Sequence, residues 1–162
     1  MAAGLPWWIY DAGGFFRPGN QYTSKEYHEK FIRWYRAETF FPMRRVHGYM
    51  SNTEPCRYGE QVEGVCLQYL DLRYRLLPYI YSGAAEISFG GSTLIRPLVM
   101  AFAAVRNELE HRSQFMFGPS QLLAPGIEGG CVSWRVKLPS HEKRCIDRCI
   151  AAKAGRCPHG AV

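Results

Sequence analysis

The chain has 162 residues, 47% of them hydrophobic and 21% charged, with a net charge of +6 at neutral pH. That length suits one ordinary domain or pieces of two, and the balance of apolar and charged residues excludes a disordered chain. The basic residues are dispersed apart from Arg44-Arg45 and Lys143-Arg144, so no nucleic-acid partner is expected, and no apolar run approaches the ~18–20 residues that span a bilayer.

The opening "MAAGLPWWIYD" has no basic run and meets a charge too early for a secretion signal. It reads as opening straight into a strand, with the expectation that the chain starts inside a domain. Residues 5–10 alternate, with Leu5, Trp7 and Ile9 on one face and Trp8 and Tyr10 on the other. Both tryptophans are expected in the core. Asp11 then stands at the strand's C-terminal end, and Gly13-Gly14 opens a loop through "RPGNQY".

"TSKE" (23–26) reads as a capping box, with Thr23 accepting from the third helical N–H and Glu26 reaching back. A helix should follow to about Glu38, with Tyr27, Phe31, Trp34 and Tyr35 on its apolar side. "TFFPMRRVHG" (39–48) reads as a short strand that places Met43, Arg45 and His47 on one face. His47 lies at its C-terminal end.

A loop at 49–59 leads into a long helix from about Glu60 to Ser88, with Val62, Val65, Tyr69, Leu72, Leu76 and Leu77 at helical spacing. Pro78 should kink it, and Gly90-Gly91 should stop it. From Thr93 the texture changes to short β-like runs, "TLIRPLVMAF", "SQFMFG", "QLLAPGI" and "VSWRVKLP", separated by turn residues as in an antiparallel sandwich. A domain boundary is expected near residues 90–93.

The order strand, helix, strand, helix fits two βα units of a parallel barrel or open sheet. In an eight-stranded barrel the active-site groups gather at the C-terminal ends of the strands. Asp11 and His47 both occupy that position on consecutive strands. On the residues alone, Asp11 reads equally well as an Asx-turn acceptor before Gly-Gly. His47 reads as a structural histidine and Arg45 as an ion-pair anchor.

The blocks "PWWIYDAGGF", "FFPMRRVHGY", "EPCRYGE", "LRYRLLPYIYS", "IRPLVMAF" and "QFMFGPSQLLAPGI" stand in one order and spacing. Over roughly residues 4–139 they resemble the C-terminal part of the catalytic region of glycoside hydrolase family 31, the α-glucosidases and α-xylosidases. The "DAGGFFRPGN" and "HGYMSNTEP" stretches are most similar to bacterial α-xylosidase-like members. The resemblance implies an α/β fold, the C-terminal portion of a (β/α)8 TIM barrel (1–92). A partial all-β sandwich (93–140) and a Cys-rich basic tail (141–162) would follow.

It also implies retaining hydrolysis of terminal α-linked glucosyl or xylosyl residues by two carboxyl groups about 5–5.5 Å apart. In the family these belong to a "W-x-D-M-N-E"-like motif and a later "G-D" motif, neither of which is found in this chain. No catalytic residue is therefore expected here, and an N-terminal remainder of the enzyme is the expected partner. The substrate-binding residues implied are Asp11, lining the pocket; Phe15, closing the same block; His47, contacting a hydroxyl of the bound sugar; and Arg45, holding neighbouring carboxylates ionised. The alternative reading is a non-catalytic carbohydrate-binding or degenerate remnant.

The chain departs from the family pattern at Cys56, where "EPW" reads "EPC", at Cys145 and Cys149 in "CIDRC", and at Arg112-Ser113 before Gln114. A buried Trp replaced by a small residue would cost about 3–5 kcal/mol. Six cysteines, three scattered and three within the last 18 residues, form no disulfide framework. Cys145, Cys149, Cys157 and His159 match no standard zinc spacing. Neither a metal nor a cofactor is expected.

Overall fold

The computed structural model describes residues 5–102, 113–131, 133–134 and 136. The cysteines of the tail and most of "VSWRVKLP" lie outside them.

Helix α1 runs Lys25–Glu38. Its cap is Ser24, not Thr23: the Ser24 hydroxyl accepts from the Tyr27 N–H at 3.2 Å, while the Thr23 hydroxyl donates to the Asn20 carbonyl. Asn20 turns the chain first, accepting from the N–H groups of both Thr23 and Ser24, which moves the start one residue on. Tyr27, Phe31 and Tyr35 recur every four residues and are buried together. Trp34, expected beside them, lies at the exposed edge of that face.

A 3-10 turn, Pro55–Tyr58, feeds helix α2, Glu60–Gly90. The helix continues through Pro78 as one element. Gly91 ends it in the left-handed conformation (φ 66°), donating its N–H to the Ile87 carbonyl. Tyr58, Val62 and Cys66 pack on the aromatic face of α1, and the Phe31 and Tyr58 rings meet at 4.6 Å. Burial pushes the Cys66 thiol up to about 12, which leaves it an inert core group. Cys56 is exposed, so the cost attached to a buried replacement does not arise at that position.

The expected strands at 5–10 and 39–48 shrink to a single parallel bridge, Asp11 with Arg45. A parallel barrel strand completes its ladder only between two neighbours, and these segments have only each other among the described residues. Trp7 and Trp8, expected in the core, are 45% and 52% exposed for the same reason.

Beyond Gly91 three strands, β1 (Ile95–Pro97), β2 (Phe115–Phe117) and β3 (Gln121–Leu123), pair antiparallel in that order. Ile95 opposes Phe117, and Phe115 opposes Leu123. The run "TLIRPLVMAF" is not one strand. After Pro97 it turns into a short helix α3, Leu98–Ala101. Pro97, which has no N–H to give a ladder, sits on the edge strand.

The small sheet packs on the C-terminal half of α2. Ile80, Ile87, Leu94, Ile95 and Phe117 form one cluster, with Phe40 and Phe41 against it. The Tyr79 hydroxyl donates to the Phe117 carbonyl at 2.9 Å. This core runs across residues 90–93. Among the described residues there is one three-stranded sheet and no second sheet facing it.

Candidate functional site

The Asp11–Arg45 bridge fixes the site's register. At Gly13 (φ 87°) and Gly14 (φ 94°) the chain turns away from the first segment, and the Gly14 N–H closes the turn on the Asp11 carbonyl at 2.8 Å. A β-carbon at Gly13 would lie 2.7 Å from both the Phe31 ring and the Tyr27 hydroxyl. That hydroxyl donates to the Gly13 carbonyl at 3.1 Å. The Gly-Gly pair thus presses its loop onto α1 and turns Phe15 outward.

The second segment is held from below by Arg73 of α2. Its guanidinium donates to the carbonyls of Thr39 (2.9 Å), Pro42 (3.0 Å) and Phe41. From there Met43, Arg45 and His47 alternate outward as expected, with Arg44 and Val46 turned inward.

At the exit of the two segments the four expected residues come together. Arg45 donates from Nε to the Asp11 carboxylate at 2.7 Å, with the Asp11 side chain 15% and the Arg45 side chain 55% exposed. The Phe15 and His47 rings stand 5.4 Å apart at 40°. Tyr49 extends the aromatic edge, its N–H bonded to the Phe15 carbonyl at 2.8 Å. A cavity of about 650 Å³ adjoins this edge, lined by Arg17, Tyr22, Tyr49 and Asn52 among others.

Beneath lies a buried ionic layer that sequence reading did not reveal. Glu38 is fully buried, and no side chain hydrogen-bonds its carboxylate. Burial pushes its pKa up to about 8, against the pull of the Arg45 N–H and the Arg44 guanidinium, while the Asp11 charge adds to the rise. Arg44 stacks on the Tyr35 ring at 3.7 Å. Burial likewise raises the Tyr10 hydroxyl above the usual phenol range, with the Glu38 charge a further cause.

The arrangement offers a charged acceptor, an imidazole and a flat apolar ring on one rim. Sugar hydroxyls need the first two, and the C–H faces of a sugar ring need the third. Glu38, the other carboxyl group coupled to Asp11, is sealed from solvent and so cannot meet a ligand there.

The model for the glycosyl hydrolases family 31 TIM-barrel domain matches residues 1–83. The α-xylosidase of Saccharolobus solfataricus is 44% identical over 140 residues, covering 86% of this chain. A family 31 α-xylosidase from a soil metagenome, solved with xylose, superposes with a TM-score of 0.72 at 31% identity over 80% of this chain and 22% of its own. The family 31 α-xylosidase of Xanthomonas citri gives 0.77 at 31% identity, over 85% of this chain and 16% of its own. The chain spans about a fifth of the length of the S. solfataricus and Aspergillus niger α-xylosidases (19% and 22%).

Proposed function

The chain belongs to glycosyl hydrolase family 31, and from that premise we propose that it supplies one wall of the sugar pocket in a retaining α-glycosidase acting on terminal α-linked xylosyl or glucosyl residues. Asp11 accepts hydrogen bonds from sugar hydroxyls, His47 contacts a further hydroxyl, and Phe15 covers an apolar face of the ring. Arg45 holds the Asp11 carboxylate in place. On this reading the end of the barrel falls within residues 1–92 and a β domain begins at 93.

The observation that carries this reading is that the Asp11–Arg45 pair and the Phe15–His47 contact share the same two segments, with Arg45 and His47 two residues apart and both exposed. A lone ion pair has many structural uses, but an ion pair next to an exposed aromatic–imidazole pair is the chemistry a saccharide selects. Hydrolysis needs a nucleophile and an acid/base flanking the scissile bond, and the chain holds neither family motif. On this reading the isolated chain binds without turning over.

The test is an assay of the isolated chain with aryl α-xyloside and aryl α-glucoside. No turnover is expected. Turnover that Asp11→Ala abolishes contradicts the division of labour.

A further inference from the structure

We infer that Arg17 is a positioning residue for the sugar site, a bracket that sets the distance between Phe15 and His47; the inference rests on the reading of that site as saccharide-binding. Nothing in the loop "FFRPGN" marks this arginine out as more than a solvated loop charge. Its guanidinium nevertheless spreads its donors over three separate pieces of chain.

Nε donates to the Gly14 carbonyl at 3.1 Å and Nη2 to the Ala12 carbonyl at 2.8 Å, fixing the turn that carries Phe15. Nη2 also reaches the His47 carbonyl at 3.4 Å, across 30 residues. Nη1 donates to the Tyr58 hydroxyl, which in turn donates to Gln21 at 3.0 Å. The guanidinium lies over the Phe31 ring, 5.6 Å from its centre.

These partners are carbonyls, a phenol and a ring face, none of them a carboxylate. A planar fork of five donors suits such a task, because it can bond several acceptors in fixed directions at once. A lysine ammonium carries the same charge without the fork. The second segment leaves room for it: a β-carbon at Gly48 would stand 2.8 Å from Arg17 Nε. The Ala12 and Gly14 carbonyls, both just ahead of Phe15, and the His47 carbonyl are thereby tied to one rigid group. Arg17 itself need not touch the sugar. Through the backbone it sets where two sugar-facing rings stand.

The test uses the whole chain, with Arg17→Ala and Arg17→Lys. Titration with methyl α-xyloside reads affinity. Magnetisation transfer between the Phe15 and His47 rings, without sugar, reads the geometry. Both variants should bind about tenfold more weakly, since oriented contacts fall off steeply with displacements of about 1 Å, and both should lose the ring-to-ring signal. About 20 mM guanidinium ion, far below the molar range that unfolds proteins, should restore binding and signal to Arg17→Ala alone. Sodium chloride at the same strength should not.

Wild-type affinity in Arg17→Ala, or full recovery in Arg17→Lys, overturns the bracket, the second by showing that charge alone suffices. If Arg17→Ala does not fold, Arg17→Lys decides by the same two readings; loss of the fold in both assigns Arg17 to stability and also overturns the role. Should the wild-type chain bind no sugar, the saccharide reading fails on its own. The ring-to-ring signal then still decides whether Arg17 sets the geometry.

Discussion

Arg45 reaches back across 34 residues to place its Nε 2.7 Å from an Asp11 carboxylate oxygen, at the one point where the two segments pair in parallel. The arginine of the pair is half open to solvent, so the pair's electrostatic value to stability is small. On the proposed reading its geometric value is larger, because it would hold the carboxylate toward a sugar hydroxyl.

Arg45→Met should therefore change unfolding free energy by no more than about 1 kcal/mol while weakening sugar binding several-fold. Urea unfolding and calorimetry on the same sample separate the two. A stability loss that accounts for the whole binding defect argues against the geometric role.

Glu38 sets a pH dependence of definite sign. Its folded pKa is raised from the ordinary 4.5 to about 8 by burial, so between those values the folded state holds a proton that the unfolded state has released. Stability is then greatest below about pH 4.5 with respect to this group, falls as pH rises, and levels off above about 8. Glu38→Gln should flatten that part of the profile and be the more stable form at pH 9. Urea unfolding from pH 5 to 9 checks this, and a wild-type profile that rises across the window contradicts it.

Gly13→Ala should destabilise the chain by more than about 2 kcal/mol, since it combines a left-handed backbone with overpacking. The added carbon would meet the Phe31 ring and the Tyr27 hydroxyl, each at 2.7 Å. A denaturation midpoint unchanged from wild type would show that the loop stands off α1.

Phe117→Ala tests whether the small sheet and α2 share one core. Phe117 is fully buried against Ile80, Ile87 and Leu94, and its loss should cost about 3–5 kcal/mol. One cooperative transition at lower denaturant is expected. Two separate transitions, only one of them shifted, would mean that the sheet folds independently.

Helices α1 and α2 were legible because their signals are local. A polar cap, a four-residue apolar repeat and a terminal glycine each act within a turn or two; the cap slipped by one residue, from Thr23 to Ser24, and Trp34 fell at the exposed edge of the apolar face. The strands at 5–10 and 39–48 were not, because a ladder depends on neighbours that alternation within one segment does not report. The β2–β3 hairpin was legible as two short β-like runs separated by turn residues; Gly118 (φ 62°) at that turn has no β-carbon to crowd the Tyr79 hydroxyl.

The candidate site divides the same way. Asp11 and His47 stood out at the expected strand exits, and the family resemblance added Phe15 and Arg45. Arg17, Glu38 and Arg73 did not stand out. Arginines that bond carbonyls 30 or more residues away leave no periodic trace. Glu38 reads in sequence as an ordinary polar helix end, and only the fold of the second segment over it makes it a sealed acid.

The central claim is that one rim of this chain grips a monosaccharide ring, and calorimetric titration with xylose and glucose tests it most directly. Weak saturable binding that His47→Ala and Asp11→Ala each remove is the expected result. Equal heats for wild type and both variants, or no binding at any sugar concentration, would contradict it.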